Sequence, residues 1–321
     1  MSSSTTAING IDEIRIVQLG MIVRDAAQSA AHYRQILGLD HIPTDGNLTE
    51  PQEQSQAVYY GSPMDGRARI IAFDIGSIQF EFIEPVGDGT VWNDYLNQHG
   101  EGLHHVALFT RDSAASAAAF AEKGYQVIQQ GYFGNGSGQY TYLDTDKDLG
   151  IVFELLHHGG NPVKSGPSHP ADKGLGTDVI TQVGIIVHDI AKTSARYAEV
   201  LGLPKPQIHQ TPGYATSKTN YYGEPSEATA KLAFMNFGQV TIELIEPDEK
   251  PSVWRNYLNQ HGEGAQHIAF QVRDTQRATD YLAQHQIPVI QQGLYADGSG
   301  MYTYVDSNAP MGICVELLHS F

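Results

Sequence analysis

The apolar positions of this chain fall into short runs typical of β-strands, and the polar stretches between them carry helix and turn signals. The first run, IRIVQLGMIVRD over 14–25, ends in Asp25. Asp25 is a suitable N-cap for the following AAQSAAHYRQIL, in which small and apolar residues recur at helical spacing, and Gly38 is placed to end the helix. The pattern therefore predicts a strand followed by a helix.

The rest of the first half continues this order. Residues 40–67 are rich in proline and glycine, and we expect a long loop there that includes one short strand. Two strands, ARIIAFDIG and SIQFEFIEP, then follow as a hairpin. After them the sequence predicts a short helix that Gly100 ends, the strand LHHVALF, an alanine-rich helix over 113–123 and three more strands. The predicted order is βαβββ, given twice.

The second half of the chain repeats the first. Residues 91–109 read VWNDYLNQHGEGLHHVALF, residues 253–270 read VWRNYLNQHGEGAQHIAF, and both tryptophans of the protein lie in these two segments. From Val179 onward the same order of predicted elements returns. We therefore expect an α+β fold of four βαβββ modules. The expected domains are residues 12–158 and 177–320, joined by a linker rich in glycine, proline and serine over 159–176.

Composition narrows the class of protein. The 321 residues suit two domains of about 150 residues, and 41% hydrophobic with 17% charged residues is ordinary for a globular protein. A net charge of −17 without a basic stripe argues against nucleic acid and anionic lipid as partners. The single cysteine, Cys314, and the polar N-terminal segment without a secretory pattern favour the cytoplasm.

Candidate chemistry comes from polar side chains inside the apolar strands. Burying a polar group without a partner costs on the order of 1–3 kcal/mol, so such residues need a reason. Each half contains one glutamine, two glutamates and one histidine of this kind, on four different strands. Three oxygens and one imidazole nitrogen would suit a divalent metal ion. The residues are Gln18, Glu81, His105 and Glu154 in the first half, and Gln182, Glu243, His267 and Glu316 in the second.

Each of these residues also has a simpler interpretation. A lone glutamate in a strand usually faces solvent, and a lone buried histidine is usually a hydrogen-bonded core residue. The recurrence of all four types at equivalent strand positions favours the metal site. Two neighbours are weaker candidates: His104 becomes Gln266 in the second half, while Glu101 recurs as Glu263 beside the helix end and is kept open as a supporting residue.

The ordered motifs resemble the vicinal oxygen chelate superfamily, which includes glyoxalase I, methylmalonyl-CoA epimerase, extradiol dioxygenases and the fosfomycin and bleomycin resistance proteins. They are the QxGxxV opening, the ExxEP strand, the GEGxxH[VI]A strand and the closing [FV]ELLH. The resemblance covers nearly the whole chain. It implies that each pair of modules closes into an open barrel around one divalent metal ion, which gives two such barrels here.

Carried onto this sequence, the metal positions of the superfamily are the eight residues named above. Their Gln, Glu, His, Glu order is similar to the zinc set of eukaryotic glyoxalase I, so zinc, nickel, cobalt or manganese is expected and iron is less favoured. The glutathione-binding glyoxalases have an arginine where this chain has Ile22 and Ile186, which argues against a glutathione conjugate. The segment NxHGEGxxHxA is closer to methylmalonyl-CoA epimerase, although that family has histidine at the first ligand position.

These observations predict a metal-dependent isomerase, epimerase or lyase that removes a proton next to a carbonyl group of a small molecule. Glu154 and Glu316, or Glu81 and Glu243 across the site, are the expected proton-transfer residues. An extradiol-type dioxygenase and a metal-free binding or resistance protein are the alternatives. Two further points stay open: whether the protein forms a homodimer, and whether each site belongs to one half or combines Gln18 and Glu81 with ligands of the other half.

Overall fold

A computed structural model describes residues 8, 10–11, 13–134, 136–158 and 173–321. Most of the predicted linker, residues 159–172, lies outside the described residues. The described part of the first half contains five helices: α1 (Ala26–Leu37), α2 (Gln52–Ser55), α3 (Val91–His99), α4 (Ser113–Glu122) and α5 (Asp146–Leu149). Its strands are β1 (Ile16–Ile22), β2 (Asn47–Leu48), β3 (Val58–Tyr59), β4 (Ser62–Pro63), β5 (Arg67–Ile75), β6 (Ile78–Val86), β7 (Gly102–Phe109), β8 (Val127–Tyr132), β9 (Gly138–Leu143) and β10 (Val152–His158).

The second half repeats these elements one for one within the described residues. Its helices are α6 (Ile190–Leu201), α7 (Tyr214–Ser217), α8 (Val253–His261), α9 (Thr275–Gln284) and α10 (Asn308–Met311). Its strands are β11 (Ile180–Ile186), β12 (Ile208–Gln210), β13 (Asn220–Tyr221), β14 (Glu224–Pro225), β15 (Ala230–Phe237), β16 (Val240–Pro247), β17 (Gly264–Gln271), β18 (Val289–Leu294), β19 (Gly300–Val305) and β20 (Cys314–Ser320).

Each half forms one curled sheet, in which the described residues contribute ten strands. The strand order of the first sheet is β2-β5-β6-β1-β7-β10-β9-β8-β3-β4, and the second sheet has the equivalent order β12-β15-β16-β11-β17-β20-β19-β18-β13-β14. In the first sheet β1 pairs with β7 antiparallel and with β6 parallel, and β7 pairs with β10 parallel. The α+β class and the tandem βαβββ modules predicted from the sequence are confirmed.

Local signals set the helix ends as the sequence predicts. The Asp25 carboxylate accepts a hydrogen bond from the backbone N–H of Gln28, 2.9 Å away, which satisfies one of the free donors of the first turn. Thr90 does the same for α3 through the backbone N–H of Asn93. At the other end of α3, Gly100 has a φ of +79°, a conformation that favours glycine. Helix α3 therefore begins and ends at residue types that favour those positions.

Contacts within the chain divide it into two compact units. The first unit contains the first sheet and residues 193–205, and the second unit contains the second sheet and residues 31–42. In the first unit, the buried Tyr197 hydroxyl of α6 donates to the carbonyl oxygen of Leu149 at 2.8 Å. In the second, the Tyr33 hydroxyl of α1 donates to the carbonyl oxygen of Met311 at 3.0 Å. Each unit thus includes a helical segment from the opposite half, while the bounds 12–158 and 177–320 stay a prediction.

The segment over residues 40–67 is more ordered than the sequence predicts. It contains β2, α2 and the hairpin β3–β4, and this hairpin extends the sheet by pairing with β8. The turn of the hairpin has positive φ at both Tyr60 (45°) and Gly61 (78°), the geometry of a tight two-residue hairpin turn. Strands of two residues carry too little periodicity to be predicted from sequence.

One remaining property of the helices concerns membranes. Among the residues that the structure describes, no helix combines the length and the apolar character that a bilayer span requires.

Candidate metal centres

Four adjacent strands of each sheet carry the four candidate side chains, one on each strand. In the first sheet these strands are β6, β1, β7 and β10, and they supply Glu81, Gln18, His105 and Glu154 in that order. The register pairs Gly20 with both Glu81 and His105. Because Gln18 is two residues before Gly20, its side chain points to the same face of the sheet. The four side chains therefore converge on one point.

The first cluster is tight and almost completely buried. Nε2 of His105 lies 3.1 Å from an oxygen of Glu154 and 3.4 Å from an oxygen of Glu81. The Gln18 amide nitrogen donates to Glu81 at 3.2 Å and to Gln79 at 2.6 Å. Glu81, His105 and Glu154 are thus close enough for one ion, since their potential ligand atoms lie within 4.8 Å of one another.

The second sheet reproduces this geometry with its own residues. Nε2 of His267 lies 3.3 Å from an oxygen of Glu316 and 3.5 Å from an oxygen of Glu243, and the Gln182 amide donates to Glu243 at 3.2 Å. Glu243, His267 and Glu316 meet the same 4.8 Å limit. The structure therefore brings together each cluster from the residues of a single half.

A glycine makes room for each histidine. A Cβ atom on Gly20 would lie only 1.9 Å from Cε1 of His105, and one on Gly184 would lie 1.8 Å from Cε1 of His267. Real Cβ atoms do not approach other heavy atoms so closely, so a side chain at either position would displace the imidazole ring. This explains the glycine of the QxG opening, since the neighbouring strand needs that space for its histidine.

The second ring nitrogen of each histidine has a buried partner. Nδ1 of His267 is 2.7 Å from the amide oxygen of Gln266, and an amide oxygen only accepts, so Nδ1 carries the proton. Nδ1 of His105 lies 3.1 Å from Nδ1 of His104. His104 and Gln266 are therefore both buried, and each contacts Nδ1 of the adjacent histidine. They hold the imidazole so that Nε2 faces the two carboxylates, an arrangement common around metal-binding histidines.

The electrostatics of both clusters favour a bound positive charge. Burial lowers the pKa of His105, but the carboxylates of Glu154 and Glu81 outweigh this effect and raise it to about 9; His267 shows the same balance and a pKa of about 9. Burial also raises the pKa of Glu154 and of Glu243 above the ordinary value, although the adjacent histidine opposes the shift. Two buried carboxyls around one imidazole thus require a proton or another cation.

The donor atoms fit a divalent metal ion. Nε2 of His105, Oε2 of Glu154 and Oε1 of Gln18 are buried and have no well-aligned hydrogen-bond partner among the described residues, and Nε2 of His267 and Oε2 of Glu316 match them in the second half. Buried polar atoms that lack partners are costly, and a cation would satisfy them together. Oxygen ligands with one imidazole suit metals of intermediate hardness such as zinc, nickel, cobalt or manganese.

Other polar residues singled out by the sequence have structural roles. Glu101 accepts a hydrogen bond from the backbone N–H of Arg24 at 2.7 Å, and Glu263 accepts one from His188 at the same distance. These contacts hold the end of the ligand-bearing strand. His99 is the last residue of α3, and its ring centroid lies 5.0 Å from that of Tyr95. None of these three side chains is part of a cluster.

Sequence reasoning missed a pair of capping glutamates. Glu84, the second glutamate of ExxEP, accepts from the backbone N–H of Ala26 at 3.1 Å, and Glu246 accepts from Ile190 at 2.9 Å. Both contacts satisfy free donors in the first turn of α1 or α6. The exact repetition of ExxEP in both halves was the available signal. Its first glutamate belongs to the cluster and its second one caps a helix.

A cavity opens onto the second cluster. It has a volume of about 480 Å³, and Gln182, Glu243 and Glu316 line it together with Phe234, Trp254, Leu294, Tyr302, Tyr304 and Leu318. This size lies within the usual range for small-molecule sites, which are mostly apolar with a few convergent polar groups. A bound molecule in this cavity would contact both carboxylates of the second cluster.

Comparison with known proteins identifies the family to which these features correspond. The family model described as Glyoxalase/Bleomycin resistance protein/Dioxygenase superfamily matches residues 17–142 and 181–305. A curated relative, Uncharacterized protein YqjC of Bacillus subtilis (strain 168), is 21% identical over 148 residues, which cover 46% of this chain and 94% of that protein.

Solved structures show a similar fold. A mutant of 4-hydroxymandelate synthase from Streptomyces coelicolor has a TM-score of 0.58 at 14% identity, over 96% of this chain and 93% of that one. Methylmalonyl-CoA epimerase from Mycobacterium tuberculosis gives a TM-score of 0.35 at 19% identity, over 45% of this chain and 89% of that one. At such identities the first likeness concerns the fold alone, and the second is too weak to support an argument.

Proposed function

We propose that this chain, which belongs to the Glyoxalase/Bleomycin resistance protein/Dioxygenase superfamily, is a divalent-metal-dependent enzyme that removes a proton from a carbon next to a carbonyl group. The reaction class would be an isomerase, epimerase or lyase. One observation carries the proposal: each half buries two glutamates, one histidine and one glutamine at a single point, and the cluster of the second half opens onto a cavity. A binding protein for apolar compounds has no need of such groups.

The metal would be held by Gln18, Glu81, His105 and Glu154 in the first half and by Gln182, Glu243, His267 and Glu316 in the second. A divalent ion bound there supplies Lewis-acid chemistry, because it polarises a carbonyl oxygen and stabilises negative charge that develops on it. His104 and Gln266 support this binding, since each keeps Nδ1 of the adjacent histidine engaged and leaves Nε2 directed at the carboxylates.

The carboxylates are the groups of this chain that could move the proton. Glu316 and Glu243 both line the second cavity, so either one can reach a bound molecule from its own side. Glu154 and Glu81 occupy the equivalent positions in the first half. A carboxylate that accepts a proton from carbon works best when its pKa approaches the working pH, and partial burial in an apolar wall favours that. We assign the proton transfer to Glu154 and Glu316 first.

One wall of the cavity beside the second cluster is aromatic. Trp254, Tyr302 and Tyr304 pack against one another with ring centroids 5.8–6.0 Å apart. The indole N–H of Trp254 donates to the Tyr304 hydroxyl at 3.0 Å, which satisfies that buried donor internally. An apolar wall with its own polar atoms satisfied leaves the carboxylates as the reactive groups of the site.

The test combines metal analysis with proton exchange. The protein is purified without chelator and analysed for metal per chain, and carbonyl compounds are incubated with it in D₂O while NMR follows loss of the α-proton. With two clusters per chain, we expect about two equivalents of zinc, nickel, cobalt or manganese and a catalysed exchange. The double variant Glu154→Gln, Glu316→Gln should bind metal and lose the exchange. An unchanged rate in that variant would remove both residues from the proposal.

Two other results would redirect the assignment. One equivalent of iron, together with consumption of O₂ on catechols, would support a dioxygenase. Failure to bind any metal after reconstitution with each candidate ion would support the binding-protein alternative.

A further inference from the structure

The two clusters differ in the residue that lies beside the first glutamate of each. In the second sheet Phe234 on β15 is the direct antiparallel partner of Glu243, whereas in the first sheet the partner of Glu81 is Ala72. Direct partners project from the same face of a sheet with Cβ atoms about 5 Å apart. The ring of Phe234 therefore lies next to the proposed metal ligand Glu243. In the first half, the equivalent Glu81 has only the methyl group of Ala72 beside it.

Phe234 is available to a ligand. Its side chain lines the cavity and is 43% exposed, the largest exposure of a phenylalanine inside either sheet among the described residues. Leu232 lies two residues before it on the same face and also lines the cavity. An exposed aromatic ring at the mouth of a concave apolar site is a contact surface that water covers only at a cost.

The opposite wall of the cavity is aromatic as well. Tyr304 is the direct partner of Glu316, and Tyr302 is the partner of Leu318 on the same face. Tyr302 is held in place by a hydrogen bond between its hydroxyl and that of Thr219, 3.0 Å away. Both carboxylates of the second cluster thus have an aromatic cross-strand neighbour, and the space between the two walls suits a planar ring.

The charge of the lining disfavours an anionic ligand. Among the described residues that line the cavity there is no lysine or arginine, while Glu243, Glu316 and Asp297 are acidic. A divalent ion would balance the two glutamates, but a phosphate or carboxylate tail elsewhere on the ligand would meet Asp297, and the imidazole of His209 is the one basic side chain among the described lining residues. Sites that bind such anions normally provide arginine, lysine or a helix N-terminus.

We propose that the cavity of the second half takes an uncharged, single-ring aromatic compound that carries a carbonyl group, and that Phe234 is the residue that gives this site its preference. The carbonyl group lies at the Glu243, His267 and Glu316 cluster, and the ring lies between Phe234 and the Tyr302–Tyr304 wall. The carbonyl part of this inference rests on the proposed function, and the ring and the absence of charge rest on the cavity itself.

Three probes that share an α-hydroxyketone test the inference. They are 2-hydroxyacetophenone with a neutral ring, dihydroxyacetone with no ring, and dihydroxyacetone phosphate with an anionic tail. Calorimetric titration of the metal-loaded protein should show 2-hydroxyacetophenone binding at least tenfold more tightly than either of the others. Phe234→Ala should weaken its binding by about tenfold, the effect of losing part of an aromatic contact, and leave dihydroxyacetone unchanged. Phe234→Leu keeps part of the apolar volume at this position, so its affinity for 2-hydroxyacetophenone should lie between that of the wild type and that of Phe234→Ala.

The outcomes separate this inference from the proposed reaction. Tight binding of dihydroxyacetone phosphate, or wild-type binding of 2-hydroxyacetophenone by both Phe234 variants, overturns the inference. NMR of the same samples in D₂O reports α-proton exchange independently. Preferred binding of the aromatic probe without exchange supports the inference and contradicts the reaction. Exchange that is fastest on dihydroxyacetone phosphate supports the reaction and contradicts the inference.

Discussion

Gly20 lies directly opposite His105 on the neighbouring antiparallel strand, and a Cβ atom on this glycine would fall 1.9 Å from the imidazole ring. Gly184 has the same relationship to His267. Neither glycine requires a left-handed backbone, since neither has a positive φ. Glycine is therefore required at these positions because a side chain would occupy the space of the histidine ring of the candidate site.

This relationship predicts the effect of a single methyl group. Gly20→Ala should displace the His105 ring and remove metal from the first half only, and Gly184→Ala should do so in the second half. Elemental analysis of each variant should show about one equivalent less than the wild type, and the double variant should bind none.

Gly213→Ala is a matched control for these variants. A Cβ atom on Gly213 would lie 3.2 Å from the flexible Glu227 carboxylate. The variant should therefore keep the full metal content. If Gly20→Ala folds and still binds as much metal as the control, His105 is not a ligand.

Metal removal should lower stability because it leaves the buried carboxyls of both clusters without a cation. A ligand that binds only the folded state at about a hundred times its Kd adds roughly 2.7 kcal/mol. For units of this size that corresponds to a rise in Tm of about 5–10 °C. Scanning calorimetry with chelator and with added metal measures this difference.

The variant His105→Ala, His267→Ala separates a specific effect from a general one. It lacks the imidazole of each cluster, so its Tm should be the same with chelator and with metal. An equal metal-dependent shift in the variant and in the wild type would place the stabilising ion elsewhere.

The residue next to each histidine should tune metal affinity. His104→Gln reproduces the second half, where Gln266 accepts from Nδ1 of His267, and should therefore bind metal as well as the wild type. His104→Leu offers no acceptor to Nδ1 of His105 and should weaken the first site by about 10- to 100-fold, as expected when such a partner is lost. Competition with a chromogenic chelator measures both affinities. Equal weakening by Gln and Leu would mean that the ring of His104 matters for packing only.

The order of strands and helices could be predicted because the same sequence pattern occurs in both halves of the chain. A single polar residue inside an apolar strand has several possible roles. Gln18 and Gln182 occupy the same position in two copies of one pattern, and this recurrence favours a role in a site. Register then converts sequence order into geometry, since β6, β1, β7 and β10 are adjacent in the sheet. The grouping of Glu81, His105 and Glu154 follows from that adjacency.

Other features were beyond a reading of the sequence. The strands within residues 40–67 are too short to show alternation, and the pairing of Phe234 with Glu243 depends on a register that the hairpin sets. The unit to which residues 31–42 and 193–205 belong is also not predictable from the sequence. Both halves repeat the same order of elements, so the pattern alone does not assign these segments to one sheet or the other.

The exchanged helices make a prediction about stability. Tyr197→Phe removes the hydroxyl that donates to the Leu149 carbonyl oxygen, and Tyr33→Phe removes the one that donates to Met311. Both tyrosines are fully buried, so the carbonyl oxygens lose a partner that water cannot replace. Each change should lower the free energy of unfolding by about 1–3 kcal/mol, measured by urea denaturation. Tyr60→Phe, at a tyrosine that is 60% exposed, should have no measurable effect. If all three variants unfold like the wild type, the helices are not held to their units by these hydrogen bonds.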